Sequence, residues 1–168
     1  WYPKDVHAFD KGRGWAHNAL LLKQMYPDAM ILCLVRDRRG VFASIEKQHR
    51  KNPSLDHFHG LGKSVYARAD AMFSPEGVIG SCVLGVEDLI RRKPTNMYMM
   101  AYEWFVQEPK EVLNAVYGQL GLKPFDHDLD NIANTSEDVD GLYLNKFEHK
   151  GAGALTEADL NEWKEYIS

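Results

Sequence analysis

An unbroken run of six apolar residues, Met30 to Val35, limits the folds open to this chain more than any other feature. A strand that is apolar on both faces must be covered on both faces, which is typical of parallel sheets flanked by helices. A second, mostly apolar segment, residues 96–101, is predicted to form another buried strand. Because helical patterns alternate with these runs, the sequence predicts an α/β layer fold with a mainly parallel sheet.

The predicted helices follow from the spacing of apolar residues and from the positions of helix-breaking residues. Pro27 ends an amphipathic pattern, and Gly40 opens the helix after the first strand. Pro109 suits the first position of a helix, and Gly121 suits the position after its end. The predicted helices cover residues 15–25, 40–50, 61–73, 83–92 and 109–120, a last helix starts at Thr156, and residues 123–146 form an irregular arm.

Size and charge argue against several function classes. The 168 residues fit a single domain, and the apolar runs fall far short of the ~20 residues that span a bilayer. The formal net charge of −4 disfavours nucleic-acid binding, which usually needs a basic excess. Cys33 and Cys82 have no partners at metal-ligand spacing, so neither a disulfide framework nor a metal site is expected. The sequence contains no signal-peptide pattern, which favours the cytoplasm.

The end of the first strand carries a cluster of groups that suit an anion. Arg36, Arg38 and Arg39 lie between the strand and the following helix, and Ser44 lies inside that helix. A helix N-terminus favours negative charge, and the planar arginine fork matches phosphate oxygens. The sequence therefore allows a phosphate-binding site without a glycine-rich loop. It equally allows an arginine-rich surface turn in which Asp37 is the counter-ion.

The end of the second strand carries Tyr102, followed by Glu103. Carboxyl ends of parallel strands are where ligands bind in open α/β sheets. A tyrosine at such a position can stack on a purine base. Taken alone, it fits equally a core aromatic residue whose hydroxyl group is hydrogen-bonded.

The two strand ends together resemble the sulfotransferases that use 3′-phosphoadenosine 5′-phosphosulfate (PAPS). Residues 27–44 are similar to the family's 3′-phosphate motif, in which an arginine and a serine stand eight positions apart, as Arg36 and Ser44 do here. Residues 100–109 are similar to its Tyr-Glu segment, and residues 119–122 to the Leu-Gly ending that follows. Residues 9–11 resemble an upstream Asp-Lys segment, and residues 147–153 a closing Lys-Gly segment.

This resemblance implies a P-loop-type three-layer fold and a set of cofactor-binding residues. By analogy with the motifs, Arg36 and Ser44 hold the 3′-phosphate and Tyr102 contacts the adenine. Lys11 lies in the matching Asp-Lys segment, and Lys150 and Gly151 add contacts from a cofactor-covering arm. In this sequence, residues 123–153 correspond to the family's cofactor-covering arm. Residues 51–80 correspond to the segment that forms its acceptor site.

The reaction implied by the resemblance moves a sulfuryl group from PAPS to a hydroxyl or amine acceptor and leaves 3′-phosphoadenosine 5′-phosphate (PAP). No metal is implied. Carbohydrate, lipid, peptide and small-metabolite acceptors all fit. A general base must take the acceptor's proton. Asp10 and His7, beside the Asp-Lys segment, are the candidates, with His17 third. Asp10 also fits an ordinary solvated ion pair, and His7 an ordinary exposed histidine.

The sequence departs from the family pattern in three places. Arg38 stands where the family has proline, and His149 where it has arginine. The family's lysine-bearing loop for the 5′-phosphosulfate is not matched, since the glycine-rich residues 11–14 lie elsewhere relative to the motif. We therefore expect a sheet that is incomplete at its N-terminal side, in the C-terminal part of a longer domain.

Two other functions fit the same residues. A nucleotide- or anion-binding module could keep the 3′-phosphate site without catalysing transfer. A P-loop kinase relative would use a phosphate donor and magnesium, although the sequence offers no Walker-type lysine and no clear pair of magnesium-binding carboxylates.

Overall fold

A computed structural model describes residues 7–51, 64–133, 153–155 and 160–167. Within these ranges, eight regular elements follow one another. They are α1 (Ala19–Met25), β1 (Ile31–Val35), α2 (Arg38–Lys51), α3 (Val65–Phe73), α4 (Gly80–Arg92), β2 (Met97–Ala101), α5 (Tyr102–Gln107) and α6 (Pro109–Leu120). Short 3₁₀ helices cover Arg13–Trp15 and Glu162–Glu165.

The two segments form strands as predicted, but they are less buried than predicted: Ile31 is the one buried residue of the two strands, and Leu34 is 50% exposed. β1 and β2 are parallel, with a register that runs from Ile31 opposite Met97 to Val35 opposite Ala101. α2, α3 and α4 lie between them in sequence, as a crossover connection between parallel strands requires. The predicted α/β fold with a parallel sheet is confirmed, and the sheet has two strands among the described residues.

Two apolar clusters hold the helices in place. Ala19, Ile31 and Leu89 are buried together and join α1 and α4 to the sheet. Phe42, Met72 and Ile79 form the second cluster, which joins α2 to α3 and to the residues before α4. Tyr166 and Ile167 pack against the second cluster, so the residues near the C-terminus cover α2. None of the described helices is both long and apolar enough to cross a bilayer.

Several predicted helix boundaries differ from the observed ones. The pattern over residues 15–25 divides into a 3₁₀ turn and α1, and α4 begins at Gly80, three residues earlier than predicted. α3 begins after Ser64, whose side chain accepts a hydrogen bond from the Ala67 N–H at 3.2 Å. α6 ends as predicted, with Gly121 in the left-handed conformation at φ 65°. Residues 61–63, the arm residues 134–152 and the predicted helix start at residues 156–159 lie outside the described residues.

A buried carboxylate links α2 to α3. The side chain of Glu46 is completely buried, and its oxygens accept hydrogen bonds from Arg68 Nη2 at 2.5 Å and Arg68 Nε at 2.8 Å. Arg50 Nε, one turn further along α2, donates to Glu46 Oε1 at 2.9 Å. Burial by itself raises the pKa of Glu46, but the two arginines outweigh it and hold that pKa below its ordinary value.

We expect Glu46 to make the protein sensitive to acid. Because its pKa is lower in the folded state, the carboxylate contributes stability above its ordinary pKa of 4.5, and this contribution disappears as the pH falls below that value. Thermal unfolding followed by circular dichroism from neutral pH to about pH 3 measures this loss. Glu46→Gln should flatten the acid limb of the profile. Asp88→Asn, which removes an exposed pair with Arg92, is the matched control and should leave the limb nearly unchanged.

Candidate functional site

The register of the sheet brings the two sequence motifs together. Since Val35 pairs with Ala101, the next residues, Arg36 and Tyr102, leave the sheet side by side. The Arg36 guanidinium carbon lies 4.3 Å from the centroid of the Tyr102 ring. Two residues that the sequence analysis assigned to one ligand are thus in direct contact, although 66 positions separate them in the chain.

The residues after Arg36 and Tyr102 are also joined. The Asp37 N–H donates to Glu103 Oε1 at 2.9 Å. This bond extends the connection between the two segments beyond Val35 and Ala101, the last paired residues of the strands. Sequence analysis gave Glu103 no role of its own, because a hydrogen bond to a backbone group so distant in sequence leaves no local pattern.

Arg36 folds back over the first turn of α2. A Cβ atom placed on Gly40 would lie 3.1 Å from Arg36 Nε and 3.3 Å from Arg36 Nη2, so the missing side chain makes room for the guanidinium group. Ser44 lies four residues after Gly40 and hence on the same face of α2. It is exposed, and its hydroxyl group has no hydrogen-bond partner among the described residues. The eight-residue spacing therefore places Arg36 and Ser44 on one face of the helix.

The start of α2 is occupied in part by an acidic cap. Asp37 Oδ1 accepts a hydrogen bond from the Arg39 N–H at 2.8 Å, and Asp37 Oδ2 pairs with Arg39 Nη2 at 2.6 Å. The side-chain hydrogen bond with Arg39 is the main reason why the pKa of Asp37 lies below its ordinary value. Because of this cap, α2 starts at Arg38, two residues before the predicted start.

The three arginines of this turn therefore differ in what they contact. Arg39 has Asp37 as its counter-ion, as the interpretation of a surface turn predicted. Among the described residues, neither Arg36 nor Arg38 forms an ion pair with a carboxylate. Arg36 is half-buried and Arg38 is exposed, so of these two arginines Arg36 is the one that the fold holds in a defined place.

Residues 160–167 lie against the outer side of α2. The Arg39 guanidinium carbon lies 4.1 Å from the centroid of a Trp163 ring, and the Arg50 guanidinium carbon lies 4.6 Å from that of Tyr166. Lys47 Nζ pairs with Glu162 Oε1 at 2.5 Å. The sequence predicted an apolar stripe here but not the stacking of aromatic rings on arginines.

The candidate general bases lie in the segment before α1. His7, Asp10 and Lys11 are exposed, and Asp10 Oδ1 accepts a hydrogen bond from Trp15 Nε1 at 3.2 Å. The ring of His17 lies against Gly85 of α4. No hydrogen bond, ion pair or ring contact among the described residues joins these groups to Arg36, so their roles stay predictions.

Lys150 and Gly151, together with residues 52–63 of the predicted acceptor region, lie outside the described residues.

The described part of the predicted arm lies against α6. Tyr117 Oη and His127 Nε2 are 2.8 Å apart, and the Phe125 ring meets the His127 ring edge-on. Two adjoining surface cavities of about 290 and 470 Å³ lie between α6 and residues 124–130. The chain then forms one bridge between Ile132 and Gly153. Whether this arm covers a cofactor stays a prediction.

Comparison with known proteins agrees with the motifs. A family model described as Sulfotransferase family matches residues 4–127, well over half of the chain. The match contains both strand ends and the contact between Arg36 and Tyr102. No curated protein and no solved structure shows a significant match.

Proposed function

Because the chain belongs to the sulfotransferase family, we propose that it binds PAPS and PAP through Arg36, Ser44 and Tyr102. In this proposal, the bound PAPS donates its sulfuryl group to a hydroxyl or amine acceptor. The contact of Arg36 with Tyr102, on the face of α2 that carries Ser44, is the observation that carries the proposal.

The hydrogen-bond donors of Arg36 and Ser44 support binding of a phosphate group at this place. Arg36 is half-buried without a carboxylate partner among the described residues, and Ser44 offers an exposed hydroxyl group on the same helix face. A phosphate group would accept charge-assisted hydrogen bonds from the guanidinium group and a further bond from the hydroxyl group. Such bonds are the stronger class of hydrogen bond, so this pair suits the 3′-phosphate that PAP carries and adenosine 5′-phosphate lacks.

The position of Arg36 restricts how an adenine can meet Tyr102. A guanidinium group 4.3 Å above one face of the ring leaves no room for a base on that face. The adenine of the proposed ligand therefore meets the edge or the opposite face of the ring. In this arrangement, Arg36 contacts both the ring and the phosphate and fixes the distance between them.

Transfer requires a bond from the acceptor oxygen or nitrogen to sulfur, while the bond from sulfur to the bridging oxygen of the 5′-phosphate breaks. The acceptor's proton goes to a general base, and Asp10 and His7 remain our candidates. Lys11, Lys150 and Gly151 remain candidates for further cofactor contacts. Such transfers depend mainly on positioning and on stabilisation of charge, which is what fixed cations supply.

Calorimetric titration tests the proposed 3′-phosphate site. We expect PAP to bind more tightly than adenosine 5′-phosphate, which lacks the 3′-phosphate, by roughly ten- to a hundredfold, the effect of one hydrogen-bonded charge. Equal affinities for the two nucleotides, or no binding of PAP, would contradict the proposal.

A non-catalytic nucleotide-binding module is the second candidate. The contact of Arg36 with Tyr102, beside the helix face that carries Ser44, would serve such a module equally well, because binding of a 3′-phosphate does not require transfer. Incubation with sulfur-labelled PAPS and a set of carbohydrate, phenolic and amine acceptors separates the two functions. Labelled acceptor indicates a transferase, whereas tight PAP binding without labelled acceptor, also when the family's 5′-phosphosulfate loop is fused to the chain, indicates the module.

A further inference from the structure

We propose that Glu103 is a positioning residue that holds Arg36 ready for the 3′-phosphate, and that it acts through the backbone of Asp37. This inference rests on the proposed function and extends it to a residue that does not itself touch the nucleotide. It follows from three observations: where the strand pairing ends, what surrounds Arg36, and what the Glu103 carboxylate contacts.

The pairing of the strands stops just before the site. Val35 and Ala101 are the last paired residues, and Arg36 and Tyr102 follow them directly. The bond from the Asp37 N–H to Glu103 Oε1 then joins the two residues that follow the site residues, Asp37 after Arg36 and Glu103 after Tyr102. Arg36 and Tyr102 thus lie between two fixed points, the last pair of the sheet and the Glu103 bond.

Space around the Arg36 guanidinium is narrow. The Tyr102 ring lies on one side at 4.3 Å, and the first turn of α2 passes so close that a Cβ on Gly40 would approach within 3.1 Å. The distance between the Tyr102 ring and the first turn of α2 depends on the position of the start of α2 relative to the start of α5. Because Glu103 belongs to α5 and Asp37 caps α2, their hydrogen bond sets this distance.

The Glu103 carboxylate does this without neutralising Arg36. Among the described residues, Glu103 accepts from the Asp37 amide and forms no ion pair with Arg36. A carboxylate paired with Arg36 would compete with a phosphate for the same guanidinium edge. Bound to the amide instead, Glu103 reduces the freedom of the arginine while leaving its hydrogen-bond donors available, and such preorganisation raises affinity.

The test compares Glu103→Ala and Glu103→Gln in titrations with PAP and with adenosine 5′-phosphate. Glu103→Ala should weaken PAP binding about three- to tenfold, the effect of one net hydrogen bond, and should change adenosine 5′-phosphate binding less than about twofold. Glu103→Gln keeps an oxygen that accepts from the Asp37 amide, so it should retain the PAP affinity. In an Arg36→Ala background, Glu103→Ala should have almost no further effect on PAP binding, because the coupled partner is gone.

Gly40→Ala is a second variant that does not depend on Glu103. Alanine raises helix propensity, so the variant is expected to fold, while its Cβ presses on Arg36. It should lower the preference for PAP over adenosine 5′-phosphate without lowering the melting temperature.

The outcomes separate this inference from the proposed function. If the unmodified chain shows no preference for PAP, the proposed function fails, and the inference fails with it. If that preference exists but Glu103→Ala leaves it unchanged, only the inference fails, whatever Gly40→Ala does. A Glu103→Gln variant as weak as Glu103→Ala also contradicts it, because the negative charge, and not the hydrogen bond, would then be what matters.

Discussion

Replacement of Arg68 by methionine is expected to lower the free energy of unfolding by about 3 kcal/mol, the usual effect of removing one partner of a buried ion pair. Glu46 is completely buried; Arg68 donates two hydrogen bonds to its carboxylate, and Arg50 donates one. Methionine keeps the apolar stem of the side chain and removes its charge. Urea denaturation at neutral pH measures the change.

Arg50→Met is the matched control. Arg50 contacts the same carboxylate, but its side chain is 52% exposed, compared with 15% for Arg68. Its removal should cost less than about 1 kcal/mol, because Arg50 itself is half exposed to solvent and Arg68 still neutralises the buried carboxylate. The double variant Glu46→Met with Arg68→Met should regain part of the loss, since no buried charge is left unpaired. Equal effects of Arg68→Met and Arg50→Met would show that burial does not determine the strength of this network.

Arg36→Ala is expected to weaken PAP binding by roughly ten- to a hundredfold, which corresponds to the loss of one charged hydrogen-bonding group. Ser44→Ala should act in the same direction with a smaller effect, because a hydroxyl group contributes one bond. Both variants should bind adenosine 5′-phosphate about as well as the unmodified chain. Titration calorimetry with the two nucleotides measures these changes.

Arg38→Ala is the control for charge alone. Arg38 lies two positions from Arg36, carries the same charge and forms no ion pair among the described residues, but it is exposed. Salt screens such a charge over about 10 Å, so its removal should change PAP affinity less than about threefold. If Arg38→Ala weakened PAP binding as much as Arg36→Ala does, the affinity would come from general electrostatic attraction and not from a defined phosphate site.

The sheet and most of the helices could be predicted because their signals are local. The apolar run before Arg36 predicts a strand by itself, although β1 is less buried than predicted, and Pro109 and Gly121 predict the ends of α6. α5 was missed for the opposite reason. Its six residues are too few to show a helical period, and its aromatic residues are typical of strands.

The candidate members of the site came from the sequence, and their role in binding stays a prediction, whereas their geometry comes from the structure. The eight-residue spacing indicated Arg36 and Ser44, and the resemblance added Tyr102. Gly40 was interpreted as a helix start, whereas it lies inside α2, where it accommodates Arg36. The role we infer for Glu103 depends on strand register, which no pattern in either motif encodes.

The packing of residues 160–167 against α2 also has a consequence for folding during synthesis. The pair of Lys47 with Glu162 closes a loop of 115 residues, and Tyr166 and Ile167 complete the packing around Phe42. A ribosome releases α2 long before it releases these partners, so the helix that carries Ser44 must wait with one side exposed. Contacts so distant in sequence form slowly, because the intervening chain must first be closed into a loop. The side of α2 that residues 160–167 cover is therefore among the last parts of a nascent chain to reach its final packing.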